Sequence, residues 1–244
     1  MRHVTLVLLG LVLTPGLFAA AQEKKADPKK KEAPEPKTWM VKKGELLWQE
    51  TFEGKEFPKT WNKGLGEWAV ESGVLRGAEA PADKHHAYCS RKVEQANAVL
   101  QFTFKLEGAE WLGGFFDGKE HVAALSLSAD TIRIRRMSGM GPTSKSTEID
   151  STKVKLNDGQ WHTVVWEFFG DEMVATVDDQ HMAFAKAEGL SMDRLHLELN
   201  TAGGKSAFFK DVKVWKAEAD SKWPQNRARL FQMLKKKPAA VGYK

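Results

Sequence analysis

A chain of 244 residues, 42% of them hydrophobic and 28% charged, is long enough for one globular domain with a sizeable core. Its net charge of +5 comes from the two ends, because the part between residues 38 and 221 carries more acidic than basic side chains. That balance argues against nucleic acid as a partner of the central part. Cys89 is the only cysteine, so the chain forms no internal disulfide, and its apolar surroundings favour a buried packing role.

The first 21 residues have the three parts of a secretory signal peptide. Arg2 gives a basic start, an apolar run covers Val4–Leu13, and small residues occupy Ala19–Ala21. The apolar run is shorter than the roughly 20 residues that a membrane-spanning helix needs. We therefore predict a secreted or periplasmic protein that is cleaved after Ala21 and then has no transmembrane segment.

A spacer rich in Lys, Pro, Glu and Ala follows, and residues 22–43 are predicted to be a disordered linker. Two interpretations of its charge remain open. The linker is either a plain tether or, like the basic C-terminal tail, a contact to anionic polymers of the cell envelope.

Residues 44–218 alternate apolar and polar side chains in one short stretch after another, which is the pattern of half-buried strands. Turn-forming pairs separate these stretches, among them Ser72-Gly73 and Asp178-Asp179. No helix of ordinary length fits this span. We therefore predict an all-β fold, a two-sheet antiparallel β-sandwich.

The pattern changes after Glu218, and residues 219–244 are predicted to form a short amphipathic helix and a basic tail. The helix is expected from about Pro224 to Lys236, with lysines at its C-terminus that oppose the helix dipole. Its apolar edge either packs on the sandwich or docks on a partner or an acidic surface.

Three stretches carry a resemblance to a known family. EWAVESGVLRG resembles its early hairpin, DGQWHTVVWEFFGDEMVATVDDQ its central strand and hairpin, and SAFFKDVKVWK its closing strand. On these stretches, which span most of residues 46–217, the chain resembles the concanavalin A-like (laminin G-like) jelly rolls. The nearest group is the secreted 3-keto-disaccharide hydrolase-like domain. The central hairpin departs from that pattern, because its turn ends in Gln180 rather than Gly.

The resemblance implies that sugars bind on the concave outer face of one sheet. That face would be built from the polar members of alternating strands, such as those in LHLELN (residues 195–200). The candidates for ligand binding are Lys105, Arg133, Arg135 and Asn200, with Gln101, Thr103, Ser126 and Ser128 beside them. Their donors and acceptors suit the hydroxyl groups of a saccharide. The plain alternative is the wet face that any antiparallel sheet can have.

The stretch EWLGGFFDGKEH adds further ligand-binding candidates. Its aromatic cluster of Trp111, Phe115 and Phe116 is expected on a loop, where rings give a sugar a flat apolar surface to stack on. Asp117, Glu120 and His121 follow and would supply a base or a metal site, a weak signal in a loop. The alternative is that the rings cap the core.

Catalysis by hydrolysis would need acidic groups, and the chain lacks the E-x-D-x-x-E pair of retaining glycosidases of this superfamily. The catalytic candidates are Glu198, as a general acid, and His196 on the same face. On a 3-keto-glycoside, a single base (His121 or His196) would be enough to start an elimination. No metal site or cofactor is required by the sequence, although Asp117 and backbone oxygens would suit a structural calcium ion.

The sequence therefore favours an exported protein that binds a glycan, because its loops are short and the carboxylate pair is missing. One alternative is a lyase or hydrolase of 3-keto-glycosides, which the family resemblance and the row of His196 and Glu198 favour. A second alternative is a structural or interaction protein of the cell envelope that uses its basic ends.

Overall fold

The computed structural model describes residues 35–191 and 196–234 of the chain. Two antiparallel sheets pack face to face, and one helix follows the last strand, as predicted. The predicted signal peptide, most of the predicted linker, the basic tail from residue 235 onwards and Leu195 lie outside the described residues. No helix in the described ranges is long and apolar enough to cross a membrane.

The strands are short and follow one another closely. In chain order they are β1 (Val41–Glu50), β2 (Asn62–Lys63), β3 (Glu67–Glu71), β4 (Val74–Ala78), β5 (Ala87–Lys92), β6 (Ala98–Glu107), β7 (Trp111–Asp117), β8 (His121–Leu127), β9 (Thr131–Ser138), β10 (Lys145–Lys153), β11 (His162–Phe169), β12 (Glu172–Val177), β13 (His181–Lys186), β14 (His196–Ala202) and β15 (Ser206–Ala219). The first sheet has the order β13-β12-β11-β6-β15-β4-β3, with β1 paired to β15. The second sheet has the order β10-β9-β8-β7-β14-β5-β2.

Alternation along the strands decides which side chains fill the space between the sheets. Phe102 and Phe104 of β6 enter the core from the first sheet, and Leu197 and Leu199 of β14 enter it from the second. Each such burial stabilises the fold by about 1.5–3 kcal/mol. Cys89 is buried in the same core, as predicted, and burial raises the pKa of its thiol well above the ordinary value.

Two predicted hairpin turns are confirmed by their left-handed backbone. Ser72 and Gly73 have φ values of 51° and 81°, and Asp178 and Asp179 have values of 52° and 55°. Successive positive φ angles are typical of type I′ turns, whose twist matches that of paired antiparallel strands. Asp178 also lies 2.6 Å from Nδ1 of His162, which fixes the turn to β11.

The sandwich begins earlier than predicted, because β1 starts at Val41, inside the stretch assigned to the linker. The cause is Glu167 of β11, a fully buried carboxyl group on the outer side of the first sheet. It accepts hydrogen bonds from the backbone N–H groups of Trp39, Met40 and Val41 at 2.9, 2.7 and 3.0 Å. Burial raises the pKa of Glu167 to about 7, against the opposing effect of these three donors. These hydrogen bonds come from a strand that is far away in the sequence. The residues assigned to the linker therefore show no periodic pattern that would reveal the start of β1.

The predicted C-terminal helix is confirmed as α1 (Trp223–Leu234), which packs on the outer face of the first sheet. Leu230 is fully buried in a cluster with Val165 and Val174. Nε1 of Trp223 donates to Glu172 at 2.8 Å. The apolar edge of the helix is therefore occupied within the chain, which was the first of the two interpretations, and this part of the first sheet is covered.

Candidate functional site

The outer face of the second sheet collects polar side chains from neighbouring strands. Across the ladder from β14 to β7, Glu198 is opposite Phe115 and Asn200 is opposite Gly113. Ser126 of β8 is opposite Gly113 from the other side. The surface formed in this way, called the polar face below, comprises Trp111, Phe115, Asp117, His121, Ser126, Arg133, Arg135, Glu198 and Asn200. The hydrophilic sides of these strands thus share continuous rows, as the sequence predicted.

Small residues occupy the centre of the polar face. Gly113 lies between Asn200 and Ser126 in one row, and Ala124 lies beside Phe115 in the next. Because both carry little or no side chain, the larger groups on the flanking strands rise above them. These flanking groups cover the centre of the sheet, where Ala124 and Asn200 have no exposed surface.

A side chain at the first of these positions would force the sheet apart. A Cβ atom at residue 113 would lie 1.8 Å from the carbonyl oxygen of Leu125 in β8. We expect Gly113→Ala to lower the free energy of unfolding by about 2 kcal/mol. Gly114→Ala is the matched control, because a Cβ atom there meets nothing closer than 3.3 Å. Urea denaturation compares the two variants, and equal midpoints would contradict the expectation.

Two arginines line a pocket of about 270 Å³ at one end of the polar face. Nε of Arg133 lies 2.6 Å from Glu148, and Arg135 donates to Oγ of Ser126 at 2.5 Å. The other lining residues are Glu110, Trp111, Ser128 and Thr131. The pocket therefore combines cationic donors, hydroxyl groups and an aromatic ring, which together suit an oxygen-rich ligand.

A carboxyl pair with an imidazole beside it occupies the other end. Oδ1 of Asp117 lies 2.6 Å from Nδ1 of His121. Burial, followed by the charge of Asp117 and a hydrogen bond to it, raises the pKa of Glu198 to about 8. At neutral pH Glu198 is therefore a protonated acid that donates to the Asp117 carboxylate. A carboxyl group that keeps its proton at neutral pH, beside a second carboxyl group and an imidazole, is suited to general acid–base chemistry.

The raised pKa of Glu198 makes the folded state more stable in acid than in base. Between its ordinary value of 4.5 and the folded value of about 8, the folded protein keeps a proton that the unfolded chain releases. The free energy of unfolding is therefore expected to fall as pH rises through this window, by about 1.4 kcal/mol from this residue for each pH unit within it.

Glu198→Gln tests this pH dependence because it cannot titrate. Glu167, which also has a raised pKa, contributes a slope of the same sign in both proteins, so the difference between parent and variant isolates Glu198. Urea denaturation at a series of pH values measures that difference. An identical slope in the two proteins would contradict the assignment.

Aromatic rings form a wall along the polar face. The ring of His86 lies 5.6 Å from the ring of Trp111 and 5.6 Å from the ring of Phe115. Burial, aided by the positive charges of His85 and Arg135, lowers the pKa of His86 to about 4. His86 is therefore a neutral imidazole at neutral pH, with an aromatic face and one nitrogen free to accept a hydrogen bond.

Asn200 is the most deeply placed polar group of the face. It has no exposed surface, and its Nδ2 lies 3.4 Å from Oε2 of Glu198. Its Oδ1 atom has no hydrogen-bond partner among the described residues. Leaving a buried acceptor unsatisfied costs about 1–3 kcal/mol, so this oxygen is a strong indication of a missing donor.

One predicted aromatic residue does not reach the polar face. The stretch around Trp111 is strand β7 rather than a loop, so successive rings face opposite sides. Phe116 is fully buried between the sheets, with its ring 5.3 Å from Trp166 and 4.5 Å from Phe168. Its assignment to ligand binding is wrong, and Phe115 stands on the polar face in its place.

Lys105 is also misplaced by the prediction. It lies on β6, which belongs to the first sheet, so Lys105 faces outward on the opposite side of the sandwich together with Gln101 and Thr103. Its Nζ atom is 3.3 Å from Glu107 and 4.5 Å from the centre of the Phe208 ring. Alternation shows which side chains face outward, but it does not show which sheet a strand joins.

The remaining candidates are brought together by the fold. Those on the polar face are Trp111, His121, Arg133, Arg135, Glu198 and Asn200. His196 lies at its edge, opposite Asp117 in the ladder. Their roles in binding or catalysis stay predictions.

Sequence reasoning missed two contributors. Asp117 was considered only as a base or metal ligand, although its side chain is the hydrogen-bond partner of Glu198. His86 was not among the residues selected from the sequence. It precedes β5, and its ring is 4.0 Å from the ring of His85. In the sequence, Tyr88 close to the two histidines was the sign that aromatic rings cluster here.

Within residues 35–191 and 196–234, no three His, Cys, Asp or Glu side chains are placed to hold one metal ion. The Asp117 carboxylate, named as a calcium ligand, is already engaged by His121 and Glu198. Asp117, His121 and Glu198 therefore form a hydrogen-bonded cluster in which a proton can be shared.

Comparison with known proteins identifies the fold. Residues 92–208 match the family model of the laminin G domain. A carbohydrate-binding module from Bacillus subtilis is 15% identical with a TM-score of 0.53, over 64% of this chain and 96% of that one. Porphyranase B from Zobellia galactanivorans is 13% identical with a TM-score of 0.54, over 79% of this chain and 99% of that one.

A Bacillus subtilis protein of galectin-like fold is also similar, with 12% identity and a TM-score of 0.55, over 74% of this chain and all of that one. At these identities the likeness shows a common jelly-roll fold. No curated protein matches the sequence. The relation to the 3-keto-disaccharide hydrolase domain stays a prediction.

Proposed function

Because the chain carries a laminin G-like domain with a jelly-roll fold, we propose that it is an exported protein that binds a saccharide on the polar face. The observation that carries this proposal is the unsatisfied Oδ1 atom of Asn200, buried at the bottom of that face. A sugar hydroxyl group is a donor of the right size for this acceptor, which it reaches once the side chains that cover Asn200 move aside. It can also accept a hydrogen bond from a neighbouring group.

The aromatic wall supports the same ligand class. Trp111 lies outside both hydrophobic clusters of the described residues, and it lines the arginine pocket. Its ring and the neutral ring of His86 offer flat apolar surfaces, on which the C–H side of a pyranose ring packs.

Known jelly rolls support the ligand class more generally. One similar structure is a carbohydrate-binding module, and others are glycan-degrading enzymes such as a porphyranase and laminarinases. The fold alone does not define a ligand. It does give a precedent for saccharide recognition on this architecture, which the polar face of this chain suits.

A second candidate function is the elimination or hydrolysis of a 3-keto-glycoside, and the pair of Glu198 and Asp117 favours it. In such a reaction His121 takes the proton from the carbon beside the ketone. The glycosidic C–O bond then breaks, and protonated Glu198 gives its proton to the departing oxygen. Burial keeps that proton on Glu198 at neutral pH.

A panel of immobilised glycans tests the first function, and incubation of the purified protein with a 3-keto-glucoside tests the second. Binding without turnover supports a glycan-binding protein. Product release that is lost in Glu198→Gln supports the enzyme. Binding to no glycan, with no turnover, overturns both and leaves the alternative of an envelope protein that acts through its basic ends.

Export is part of the proposal and rests on the signal-like residues 1–21. The test is N-terminal sequencing of the protein recovered from the producing cells. A mature chain that starts at Gln22 supports export, whereas an intact N-terminus on a cytoplasmic protein overturns it.

A further inference from the structure

We propose that the arginine pocket of the polar face binds a negatively charged substituent of the saccharide, either a carboxylate or a sulfate group. This inference rests on the proposed saccharide binding and names the class of sugar that the site selects. Its basis is the burial, hydrogen bonding and ion pairing of the guanidinium groups of Arg133 and Arg135 in the described structure.

Arg135 is a partly buried cation whose hydrogen-bonding capacity is only partly used. Its Nε atom is buried and has no hydrogen-bond partner among the described residues. The hydrogen bond it makes goes to the neutral hydroxyl group of Ser126. Burial, and then the charge of Arg133, lowers the pKa of Arg135. A guanidinium group in this condition is stabilised by an anion that accepts from two of its N–H groups at once.

The carboxylates near the pocket do not meet that need. Glu148 lies 2.6 Å from Nε of Arg133, which is the more exposed of the two arginines. Glu148 is opposite Arg135 in the ladder from β10 to β9, and its charge acts on Arg135 as well. Glu110 is the one acidic residue among those lining the pocket, and none of the ion pairs in the described part of the chain joins it to Arg135. Arg133 is therefore paired with Glu148, whereas Arg135 is in no ion pair of the described residues.

The rest of the pocket suits an oxyanion attached to a sugar. The small hydroxyl side chains of Ser126, Ser128 and Thr131 line it. Ser128 and Thr131 donate their hydroxyl hydrogens to Asp130 at 2.7 and 2.9 Å. Ser126 is therefore the hydroxyl group that is left to donate to a carboxylate or sulfate oxygen. Its volume of about 270 Å³ is below the range of roughly 300–1,000 Å³ that drug-sized ligands occupy, so it fits one sugar unit with its substituent.

The polar face also has opposite charge at its two ends. The arginines stand on β9, whereas the Asp117 carboxylate stands on β7, and Glu198 beside it on β14 is protonated at neutral pH. An acidic sugar unit is therefore attracted to the arginine end and repelled from the carboxyl end, which fixes the direction in which a longer glycan lies.

Isothermal titration calorimetry on the full chain tests this inference with three trisaccharide probes: an oligogalacturonate, a sulfated galactan fragment and a neutral β-glucan fragment. We expect at least one anionic probe to bind roughly tenfold to a hundredfold more tightly than the neutral one, because hydrogen bonds to a charged group increase affinity by about that factor. The two anionic probes distinguish a carboxylate from a sulfate. The preference is expected to shrink as salt is added.

Arg135→Gln is expected to remove the preference for the anionic probe, and Arg135→Lys to keep part of it. Arg136→Gln is the matched control on the same strand, because Arg136 donates to the backbone oxygen of Glu188, away from the pocket. Thermal unfolding of each variant shows whether it is folded. Arg135→Lys and the salt series keep the test decisive if Arg135→Gln does not fold.

The possible outcomes separate this inference from the proposed function. If the neutral probe binds as well as the anionic probes, or if both Gln variants lose the preference equally, the anionic pocket is overturned while saccharide binding stands. If no probe of either kind binds and the glycan panel is also negative, both proposals fall.

Discussion

Replacing Glu167 with alanine is expected to lower the free energy of unfolding by about 4 kcal/mol. The side chain is fully buried and accepts three backbone N–H groups from the segment that leads into β1. Its loss leaves those donors without acceptors beneath helix α1, whose Asn226 holds the same segment through the carbonyl oxygen of Trp39 at 2.8 Å. The N-terminal segment and the helix are therefore expected to loosen together.

Two further variants grade this effect. Glu167→Gln keeps one oxygen for Met40 and Val41 but turns an N–H₂ group toward the N–H of Trp39, so we expect a loss of about 2 kcal/mol. Glu71→Ala is the control, because Glu71 is about half exposed and forms a surface ion pair with Arg76 at 3.0 Å. Removing such a pair changes stability by about 1 kcal/mol or less. Urea denaturation gives the free energy of unfolding of all three variants. Equal losses of stability in Glu167→Ala and Glu71→Ala would contradict the role of Glu167 in holding the segment that leads into β1.

Trp111→Ala is expected to weaken saccharide binding by roughly thirtyfold or more. The indole ring stands on the polar face, beside the pocket and within 5.6 Å of the His86 ring, and it packs in neither hydrophobic cluster of the described residues. Its removal therefore takes away a stacking surface while it leaves the core unchanged. The measurement is calorimetric titration with the tightest saccharide of the glycan panel.

Trp161→Ala is the control for this experiment. Its side chain is 39% exposed and lies beside Lys105 and Lys210, remote from the polar face, so binding is expected to be unchanged. An equal loss of affinity in both variants would show that the effect is not local. Unchanged affinity in Trp111→Ala would show that the aromatic wall does not contribute to saccharide binding.

Local sequence patterns are sufficient to predict much of the fold. Alternation in β6 and β14 shows correctly that Phe102, Phe104, Leu197 and Leu199 are core residues, because the two-residue repeat is a property of the strand itself. The turn at Ser72-Gly73 follows from the ease with which glycine adopts a positive φ. The jelly-roll assignment is confirmed by the laminin G match and the similar structures.

The errors arise where an outcome depends on distant parts of the chain. Lys105 was placed on the wrong side because the pairing of β6 with β11 and β15 is not encoded in β6 alone. Phe116 was misassigned because a strand in place of a loop reverses the side of every second residue. The contact of Glu198 with Asp117 joins strands that are far apart in sequence, so no spacing rule reveals it.

The central claim is that a saccharide lies on the polar face, between the arginine pocket and the carboxyl pair. The most direct measurement is a titration of the isotope-labelled protein with the best-binding saccharide, followed by backbone amide NMR shifts. We expect the largest shifts in β7, β8, β9 and β14, with Asn200 and Gly113 among the strongest. Shifts concentrated on the helix-covered sheet, or on the edge strands far from Asn200, would contradict the claim.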